Sequence, residues 1–400
     1  MDEGRAGCSN REWLDGVYGR LLAKMKAECA RVGTNIPYTT GEDGRYHDIT
    51  ETPYGRTPDG KPYLGNWTNG FWPGMLWHMY HATGDEAYKA AAVGVEERLE
   101  AVLDDPESVG HDLGFMFLQS SVANYRQTGD GEARRRGLLA AAELAARYNI
   151  DGKFIRAWPG PRDSEQGKRM GGGDIRGWMI IDSMMNLPLL YWASEESGDP
   201  RFAQIAESHA HTAAQYFVRG DGSVNHIVEF DPHTGEYVTT YGGQGYETGS
   251  SWTRGQAWGL YGFTLSYLHT KDPEFLSAAE RIANYFMANI PESGLIPVDF
   301  RQPEEPAWED STAAAIAACG LIELAKLSDG RQSEIYLNAA MKLLQALEKR
   351  SFNWNEDEDN FLTKCTGAYH DKEHEFSIIY GDYYFLEALM KLCGKELFIW

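Results

Sequence analysis

One phrase recurs along the chain and limits what it can fold into: a mixed apolar segment, a short turn containing Asp, and then an Ala-rich amphipathic stretch. The clearest copies begin at His81 (HATGDEAYKAAA) and Arg126 (RQTGDGEARRRGLLAAAELAARY), and looser copies begin at Glu196, His269 and Leu327. An irregularly spaced repeat of this kind is typical of one supersecondary unit with loops of variable length between its copies. The aspartates that mark the turns are Asp85, Asp130, Asp199, Asp272 and Asp329.

Each copy is predicted to be a helical hairpin. The stretch after the turn has apolar residues at helical spacing with charged residues between them, which indicates an amphipathic outer helix. The stretch before the turn is apolar nearly all round and rich in Gly and Ala, as expected for a buried inner helix. Six inner helices are predicted: GFWPGMLWHMY, DLGFMFLQSSVANY, DSMMNLPLLYWA, RGQAWGLYGFTLSYL, STAAAIAACGLIELA and DYYFLEALMKL.

A further amphipathic helix at about residues 11–31 brings the expected number to twelve helices that alternate between outer and inner positions. This content predicts an all-α fold, an (α/α)6 toroid of six helical hairpins formed by residues 1–400 as a single domain. A superhelical solenoid is the alternative, because hairpins alone do not require the ring to close.

The connections before the inner helices are long, and those after them are short. The long ones span 35–69, 151–180, 218–253, 290–310 and 351–381. In an alternating toroid all of these loops lie on one face, and loops of such length in a compact domain are usually functional. Within one of them, SVNHIVEF and EYVTTY on either side of DPHTG predict a small β-hairpin. We therefore expect the functional site on the face that carries these loops.

Composition and charge exclude several classes of function. The formal net charge is −22, whereas binding to nucleic acid or to an anionic membrane surface needs clustered Lys and Arg. The apolar stretches have the length of core helices and are interrupted by polar residues, so no membrane span is predicted. No basic segment followed by an apolar one is visible at the start, and the five scattered cysteines fit reduced thiols, so a cytoplasmic location is expected.

No cofactor and no metal site is predicted. The 11 His include no H-E-x-x-H or comparable spacing, and the cysteines include no C-x-x-C pair. Gly171, Gly172 and Gly173 are not followed by the G-K-[ST] of a phosphate-binding loop. The chemistry is therefore expected to come from side chains alone.

Polar residues gather at the predicted starts of the inner helices, where the helices meet the long loops. They include Asn69, His111, Thr253, Arg254 and Glu309. Paired carboxylates on a sugar-binding face are the usual means of glycoside cleavage, with one of the two acids kept protonated. Each Asp has a simpler interpretation as a helix N-cap. The candidates for the carboxylate pair are Asp112, Asp174, Asp182, Asp310 and Asp382.

The position of Asp182 is limited by Pro188, which follows it closely. Proline does not fit unstrained deep inside a helix. Asp182 is therefore predicted to lie either in a kinked first turn or in the loop that enters the helix, and in both cases near the mouth of the toroid.

The segment SSWTRGQAWG combines a cation, an amide and two indoles at a junction between loop and helix. Arg254 is suited to bidentate binding of a carboxylate, and Trp252 and Trp258 are suited to stacking on a sugar ring. The alternative is that Trp258 belongs to the core and that Arg254 pairs internally with an acidic residue. For His226, in the predicted hairpin, a surface position is the simplest interpretation.

The same segments resemble the unsaturated glucuronyl hydrolases of glycoside hydrolase family 88. The resemblance covers nearly the whole chain and implies an (α/α)6 toroid and a cytoplasmic enzyme that acts on the products of polysaccharide lyases. It rests on seven motifs in order: NWTNGFWPG at 66–74, HDLGF at 111–115, IDSMMNLPLLYW at 181–192, GGQGY at 242–246, SWTRGQAWG at 251–259, DSTAAA at 310–315 and GDYYFLEAL at 381–389.

The resemblance also implies roles for individual residues. Asp182 matches the general acid/base, and Asp112 matches the second essential carboxylate. The residues that match substrate-binding positions are His226, Gln244 and Arg254. The residues that match ring-stacking aromatics are Trp252 and Trp258, together with Trp67 or Trp72.

The implied ligands are di- or oligosaccharides that carry an unsaturated uronate. The enzyme would release this uronic acid (4-deoxy-L-threo-hex-4-enopyranuronate) from the non-reducing end by hydrating its C4=C5 enol ether. The alternatives are an unsaturated rhamnogalacturonyl hydrolase, an (α/α)6 hydrolase of saturated glycans, and a non-catalytic glycan-binding toroid.

Overall fold

The fold is described from a computed structural model, which covers residues 3–57, 60–105, 109–160, 167–168, 170 and 172–400, with side chains from residue 10 onward. Helices dominate this part of the chain, as predicted. The side chain of Cys8 and the whole of Gly171 lie outside the described residues.

Twelve helices in the described ranges form an outer and an inner set. The outer helices are α1 (Glu3–Val32), α3 (Glu86–Leu99), α5 (Gly131–Ala146), α7 (Pro200–Phe217), α9 (Pro273–Ala288) and α11 (Gly330–Arg350). The inner helices are α2 (Phe71–Thr83), α4 (Leu113–Phe117, continued by a π-turn at Leu118–Val122 and by Ala123–Thr128), α6 (Leu187–Ser197), α8 (Thr253–Thr270), α10 (Ser311–Leu327) and α12 (Ile379–Leu392).

The inner helices form a closed ring. Each packs against the next in chain order, and α12 packs back against α2. This closure makes the fold an (α/α)6 toroid and shows that the solenoid alternative is wrong. The outer helices surround the ring and cover its outer faces.

Burial separates the two sets as the sequence predicts. All residues from Ser311 to Ala325 in α10, and all from Thr253 to Ser266 in α8, are buried. The outer helices bury one apolar face only, which is where most of their stabilisation comes from. Although the inner helices are apolar, no helix in the described ranges is both long and apolar enough to cross a membrane.

The repeated sequence phrase has a local structural cause. In the first four hairpins the inner helix ends in a left-handed residue, and the next residue is an Asp that caps the outer helix by accepting a backbone N–H bond. Such a C-cap followed by an N-cap reverses the chain within two residues. The left-handed residues are Gly84, Gly129, Gly198 and Lys271, and the capping residues are Asp85, Asp130, Asp199 and Asp272.

A small antiparallel sheet lies among the long loops. Its strand order is β3 (Trp178–Ile180), β4 (Ile227–Phe230) and β5 (Tyr237–Tyr241), after a two-stranded ribbon of β1 (Tyr148–Asn149) and β2 (Phe154–Ile155). The predicted β4–β5 hairpin is confirmed, whereas β3 and the ribbon were not predicted.

The sheet changes the interpretation of His226. This residue directly precedes β4 instead of lying within a strand, and it is buried. The expectation of a surface position was therefore wrong. The cause is the pairing of β3 with β4, which brings the loop before α6 against this segment.

Lys271 provides a test of the turn chemistry, because it has φ 61° at a position where the other turns use Gly. The left-handed conformation costs a side-chain-bearing residue roughly 1–2 kcal/mol, part of which is offset by the greater freedom of Gly in the unfolded chain. Lys271→Gly is expected to raise the free energy of unfolding by about 0.5–1 kcal/mol relative to Lys271→Ala. Both variants lose the contact of the ammonium with Tyr267, so urea unfolding of the pair isolates the backbone effect. Equal stability of the two variants would contradict the expected cost of the left-handed conformation at residue 271.

Candidate active site

Three of the five candidate carboxylates are engaged by the fold. Asp174 accepts bonds from both the backbone and the guanidinium of Arg176. Asp310 caps α10 and pairs with Arg254 at 2.7 Å. Asp382 accepts two successive backbone N–H groups from the loop before α12. The alternative interpretation as structural residues therefore holds for these three.

Asp112 and Asp182 are the two carboxylates that remain. Asp112 directly precedes α4 but makes no side-chain capping bond. Asp182 lies in a 3-10 turn (Ile181–Met185) between β3 and α6, and Pro188 is in the first turn of α6. The prediction that Asp182 lies in the segment entering the helix is confirmed.

Asn186 holds the two acidic residues together. Its amide Nδ2 is 3.3 Å from Asp112 Oδ1 and 3.3 Å from the backbone carbonyl oxygen of Asp182. Its Oδ1 accepts the backbone N–H of Phe115 at 2.9 Å. Because one amide side chain contacts both segments, the start of α4 and the turn before α6 are fixed relative to each other.

The turn that carries Asp182 also packs tightly on α8. A side chain at Gly262 would place its Cβ 2.4 Å from the Cβ of Met184, a distance that no real contact reaches. Glycine at this point of α8 therefore allows the Asp182 turn to approach the helix backbone.

Burial raises the pKa of both carboxyls to about 7. The side chains of Asp112 and Asp182 are 18% and 17% exposed, so the ionised forms lose most of their hydration. The negative charge of Asp112 raises the pKa of Asp182 further, whereas Arg254 lowers it. The hydrogen bond from Asn186 lowers the pKa of Asp112. Two coupled acids of this kind titrate as a pair, which retains a proton near neutral pH.

Two neutral histidines face the pair. Burial lowers the pKa of His226 and of His111 to about 3. The Nδ1 of His226 lies 3.0 Å from the backbone nitrogen of Gln244 and 3.2 Å from the carbonyl oxygen of Gly242, and its Nε2 is 3.7 Å from Asp182 Oδ2. His111 Nε2 is 3.4 Å from Asp112 Oδ1. Both rings therefore act as hydrogen-bonding groups and not as cations.

Arg254 is buried in a set of internal contacts. Its Nη1 donates to Asp310 Oδ2 and to the carbonyl oxygen of Thr366 (2.6 Å), and its Nη2 donates to the carbonyl oxygen of Gly367. The guanidinium also lies 4.6 Å from the ring of Trp252. Internal pairing with an acid, the alternative interpretation of Arg254, is therefore confirmed. No hydrogen bond within the described residues uses Nε or the second proton of Nη2.

Two cavities on the loop face share Trp67 as a wall. The main cavity has a volume of about 620 Å³, and Gln244 and Arg254 are among its lining residues. The side cavity has a volume of about 210 Å³ and includes Asp112. The linings draw on four of the long loops, which confirms that these loops share one face. A groove of about 690 Å³ between α1 and α11 contains none of these residues.

The predicted stacking residues take different positions. Trp67 is partly buried and lines both cavities. Trp252 and Trp258 belong to the buried core, so the alternative interpretation of Trp258 holds and the prediction that these two rings stack on a sugar was wrong. Trp252 contacts His226. Trp72 is fully buried and donates to the carbonyl oxygen of Gly33, so its prediction as a substrate-binding residue was wrong. Trp67 is therefore the member of that pair that belongs to the cavity.

Three lining or bridging residues were missed in the sequence. Asn186 belongs to the motif that contains Asp182. Its spacing of one helical turn from Asp182 was the signal in the sequence that the two residues lie close together. Tyr63 and Trp158 line the side cavity from two different loops. Their aromatic character in a long loop was the only sign of a role, because their proximity depends on how the loops fold back.

The described residues contain no group of three or more His, Cys, Asp or Glu side chains arranged to hold a metal ion. The cysteines at 29, 319, 365 and 393, which are those with described side chains, are unpaired. The site as described thus offers carboxyl, imidazole, amide and guanidinium groups for chemistry.

Comparison with known proteins places this geometry in context. Residues 43–394 match the model of Glycosyl Hydrolase Family 88. An "Unsaturated glucuronyl hydrolase" of Bacillus sp. (strain GL1) is 39% identical over 82% of this chain and 86% of its own length. An "Unsaturated chondroitin disaccharide hydrolase" of Streptococcus pyogenes serotype M1 is 38% identical over 81% of this chain and 80% of its own length. The solved structure of the Bacillus sp. GL1 enzyme superposes with a TM-score of 0.83 at 33% identity, covering 95% of this chain and 96% of that chain.

The raised pKa of Asp182 predicts an effect on stability. Because its pKa in the folded protein is about 7 and in the unfolded chain about 4, folding stability falls as the pH rises from 4 to 7. Asp182→Asn removes this cost and should stabilise the protein by on the order of 1–3 kcal/mol at pH 8, with little effect at pH 4. Thermal unfolding at both pH values measures the difference, with the exposed Asp151→Asn as control for the loss of one charge. Equal effects of both variants at pH 8 would show that burial of the ionised Asp182 carboxylate does not destabilise the folded protein.

Proposed function

The chain belongs to Glycosyl Hydrolase Family 88, and from this premise we propose that it releases an unsaturated uronic acid from the non-reducing end of oligosaccharides made by polysaccharide lyases. It is a glycoside hydrolase on a helical toroid. The observation that carries the proposed chemistry is the Asp112–Asp182 pair, whose raised pKa values keep a proton available at neutral pH. The names of the relatives, which refer to unsaturated glucuronyl and chondroitin saccharides, support the substrate class.

In the proposed reaction, Asp182 is the general acid and base. The substrate has a C4=C5 double bond in an enol ether with the ring oxygen. Protonation at C4 by Asp182 leaves a cation at C5 that the ring oxygen stabilises, and water then attacks C5 and returns a proton to the carboxylate. The resulting hemiketal opens to a ketone at C5 and frees the remaining sugar from C1, so that one water is consumed. This route needs one protonated acid and no protein nucleophile.

Asp112 is proposed to keep Asp182 protonated until it acts. Its negative charge raises the pKa of Asp182, and the amide of Asn186 links the carboxyl of Asp112 to the backbone carbonyl of Asp182. An acid with a pKa near the working pH combines a large protonated fraction with effective proton transfer. Asp112 is thus proposed to act through its partner acid, Asp182.

Gln244 and Arg254 are proposed to bind the carboxylate of the uronate. Both line the main cavity, and Arg254 is the cation among the predicted site residues. Since Asp310 compensates its charge, recognition relies on its Nε–H and on the second Nη2 proton more than on net charge. Trp67 is proposed to stack on a sugar ring, and His226 to contact the substrate through Nε2, the ring nitrogen that faces Asp182. Trp252 and Trp258 are proposed to support the site from behind.

We further propose that residues 1–400 act as one catalytic domain in the cytoplasm. One cluster of buried apolar residues extends from Val17 to Trp400, which supports a single folding unit. The unpaired cysteines in the described part of the chain support a reducing compartment.

The reaction is tested by following the loss of ene-uronate ultraviolet absorbance with a panel of lyase-made disaccharides. We expect turnover of substrates that end in unsaturated glucuronate. Their saturated counterparts lack the absorbing double bond, so they are followed by release of the reducing sugar, and none is expected. Asp182→Asn should lower kcat by roughly 10²–10⁴-fold, because the amide has no proton to give to C4, while circular dichroism stays unchanged. Turnover of rhamnogalacturonan products alone would overturn the proposed substrate, and full activity of the Asn variant would remove Asp182 from its role.

The role of Asp112 has its own signature in the pH dependence. For the wild type, kcat/KM should fall as the pH rises through about 7, where the acid loses its proton. Asp112→Asn removes the neighbouring negative charge and should move this fall to lower pH by about one unit, in addition to lowering the rate. Rate profiles between pH 4 and 9 measure the shift. An unchanged pH profile with full activity would show that Asp112 has no part in catalysis and is only the residue that precedes α4.

A further inference from the structure

A loop at 242–252, called here the binding loop, brings several proposed substrate-binding groups together. It carries Gln244, whose backbone N–H bonds His226 and whose side chain donates to the carbonyl oxygen of Gly367 at 2.8 Å. It ends at Trp252, whose ring contacts both His226 and Arg254. This loop contains no helix or strand from Gly242 to Ser251, so its shape depends on bonds from other segments.

Asp299 supplies the acceptors for the backbone of the binding loop. It is completely buried in the loop before α10. Its Oδ2 accepts the N–H of Tyr246 at 3.0 Å and the hydroxyl of Ser250. Its Oδ1 accepts the N–H of Ser251 at 2.9 Å and that of Arg301 at 2.8 Å. One carboxylate thus takes four donors, three of them from the binding loop.

Two arginines donate to two of the carbonyl groups of the same loop. Arg219 donates to the carbonyl oxygens of Gly249 (2.6 Å) and Ser250. Arg301 donates to that of Gly249 at 2.8 Å and is itself paired with Asp221 at 2.7 Å. Different side chains therefore bond the N–H groups and the carbonyl groups of the binding loop. Within the described residues, Asp299 is the only acid that accepts backbone N–H groups of this loop.

We propose that Asp299 is a positioning residue for substrate binding. It fixes the binding loop so that Gln244 and Trp252 are in place before the uronate arrives. This inference rests on the proposed function, in which Gln244 binds the uronate carboxylate. Preorganisation of this kind lowers the cost of ordering groups on binding. Loss of Asp299 should therefore weaken substrate binding while leaving the Asp112–Asp182 pair, which lies on other segments, unchanged.

The isosteric variant Asp299→Asn is a sharp probe of this role. Each carboxylate oxygen already faces two donors, so the Asn amide must point its NH2 at one donor pair whichever way it is turned. We expect KM on an unsaturated disaccharide to rise about tenfold or more, with kcat within about threefold of wild type, as for loss of uniform binding. The fall of kcat/KM at high pH should occur at the wild-type pH.

Hydrogen–deuterium exchange gives a second measurement, independent of catalysis. The amides of Tyr246 and Ser251 should exchange at least about tenfold faster in Asp299→Asn than in the wild type, because each loses or weakens its acceptor. The control is Asp359→Asn. Asp359 is equally buried and accepts the backbone N–H of Tyr46, but it lies at neither cavity. The control should lower thermal stability without changing KM or the exchange of 242–252.

The outcomes separate the two claims. If the wild type turns over the disaccharide, two results would overturn the positioning role. One is an equal KM for the wild type and Asp299→Asn, and the other is an equal rise of KM in Asp299→Asn and Asp359→Asn. Unchanged exchange at 242–252 in Asp299→Asn would overturn it as well. If the wild type itself converted none of the disaccharides, the proposed function would fail, and the exchange measurement would still decide whether Asp299 holds the loop.

Discussion

Two carboxyl groups with little access to water, those of Asp112 and Asp182, lie near enough for the charge of Asp112 to act on Asp182, and the amide of Asn186 joins the Asp112 carboxyl to the backbone carbonyl of Asp182. Burial makes their ionised forms costly, and each negative charge opposes the other. Most proteins avoid such a pair, because it reduces stability as the pH rises through the physiological range. In the toroid each acid lies in the segment that leads into an inner helix, and these helices form a ring that closes on itself.

The ring explains how an acidic protein can offer a site to an anionic sugar. Arg254 at the start of α8 contacts Asp310 at the start of α10, so neighbouring inner helices compensate each other's charge inside the site. Under the proposed function, the uronate meets directed N–H groups in a confined cavity instead of an excess of positive charge. Directed donors in a site with little water are worth far more than the same groups on the surface.

The sequence predicted the helices well, because their signals are local. Each hairpin carries its own apolar faces, and the first four also carry a left-handed turn residue and a capping Asp, which determine structure within one or two turns of helix. The motif resemblance also pointed to Trp67 and Asp112, which line the side cavity, and to Gln244 and Arg254, which line the main cavity. It did not show which tryptophans are buried: the indole of Trp72 turns away to Gly33, and Trp252 and Trp258 lie in the core.

What could not be predicted depends on contacts between distant segments. The pairing of β3 with β4 buries His226, and the closing of the loops brings Tyr63 and Trp158 to one cavity. Asp299 lies more than fifty residues after Gln244 along the chain, and its role follows only from the backbone N–H groups that converge on it. Residues of this kind have ordinary neighbours in the sequence, so no local pattern marks them.

The proposed reaction depends most on the retention of a proton by the Asp112–Asp182 pair near pH 7. Carbon-13 NMR of protein labelled at the Asp carboxyl carbons measures this directly, with Asp112→Asn and Asp182→Asn used to assign the signals. We expect a carboxyl signal that titrates near pH 7, is absent in Asp182→Asn and titrates at lower pH in Asp112→Asn. If the signal that disappears in Asp182→Asn instead titrates near pH 4 in the wild type, like an exposed Asp, the acid would be ionised at neutral pH. Asp182 could then not be the general acid of the proposed reaction.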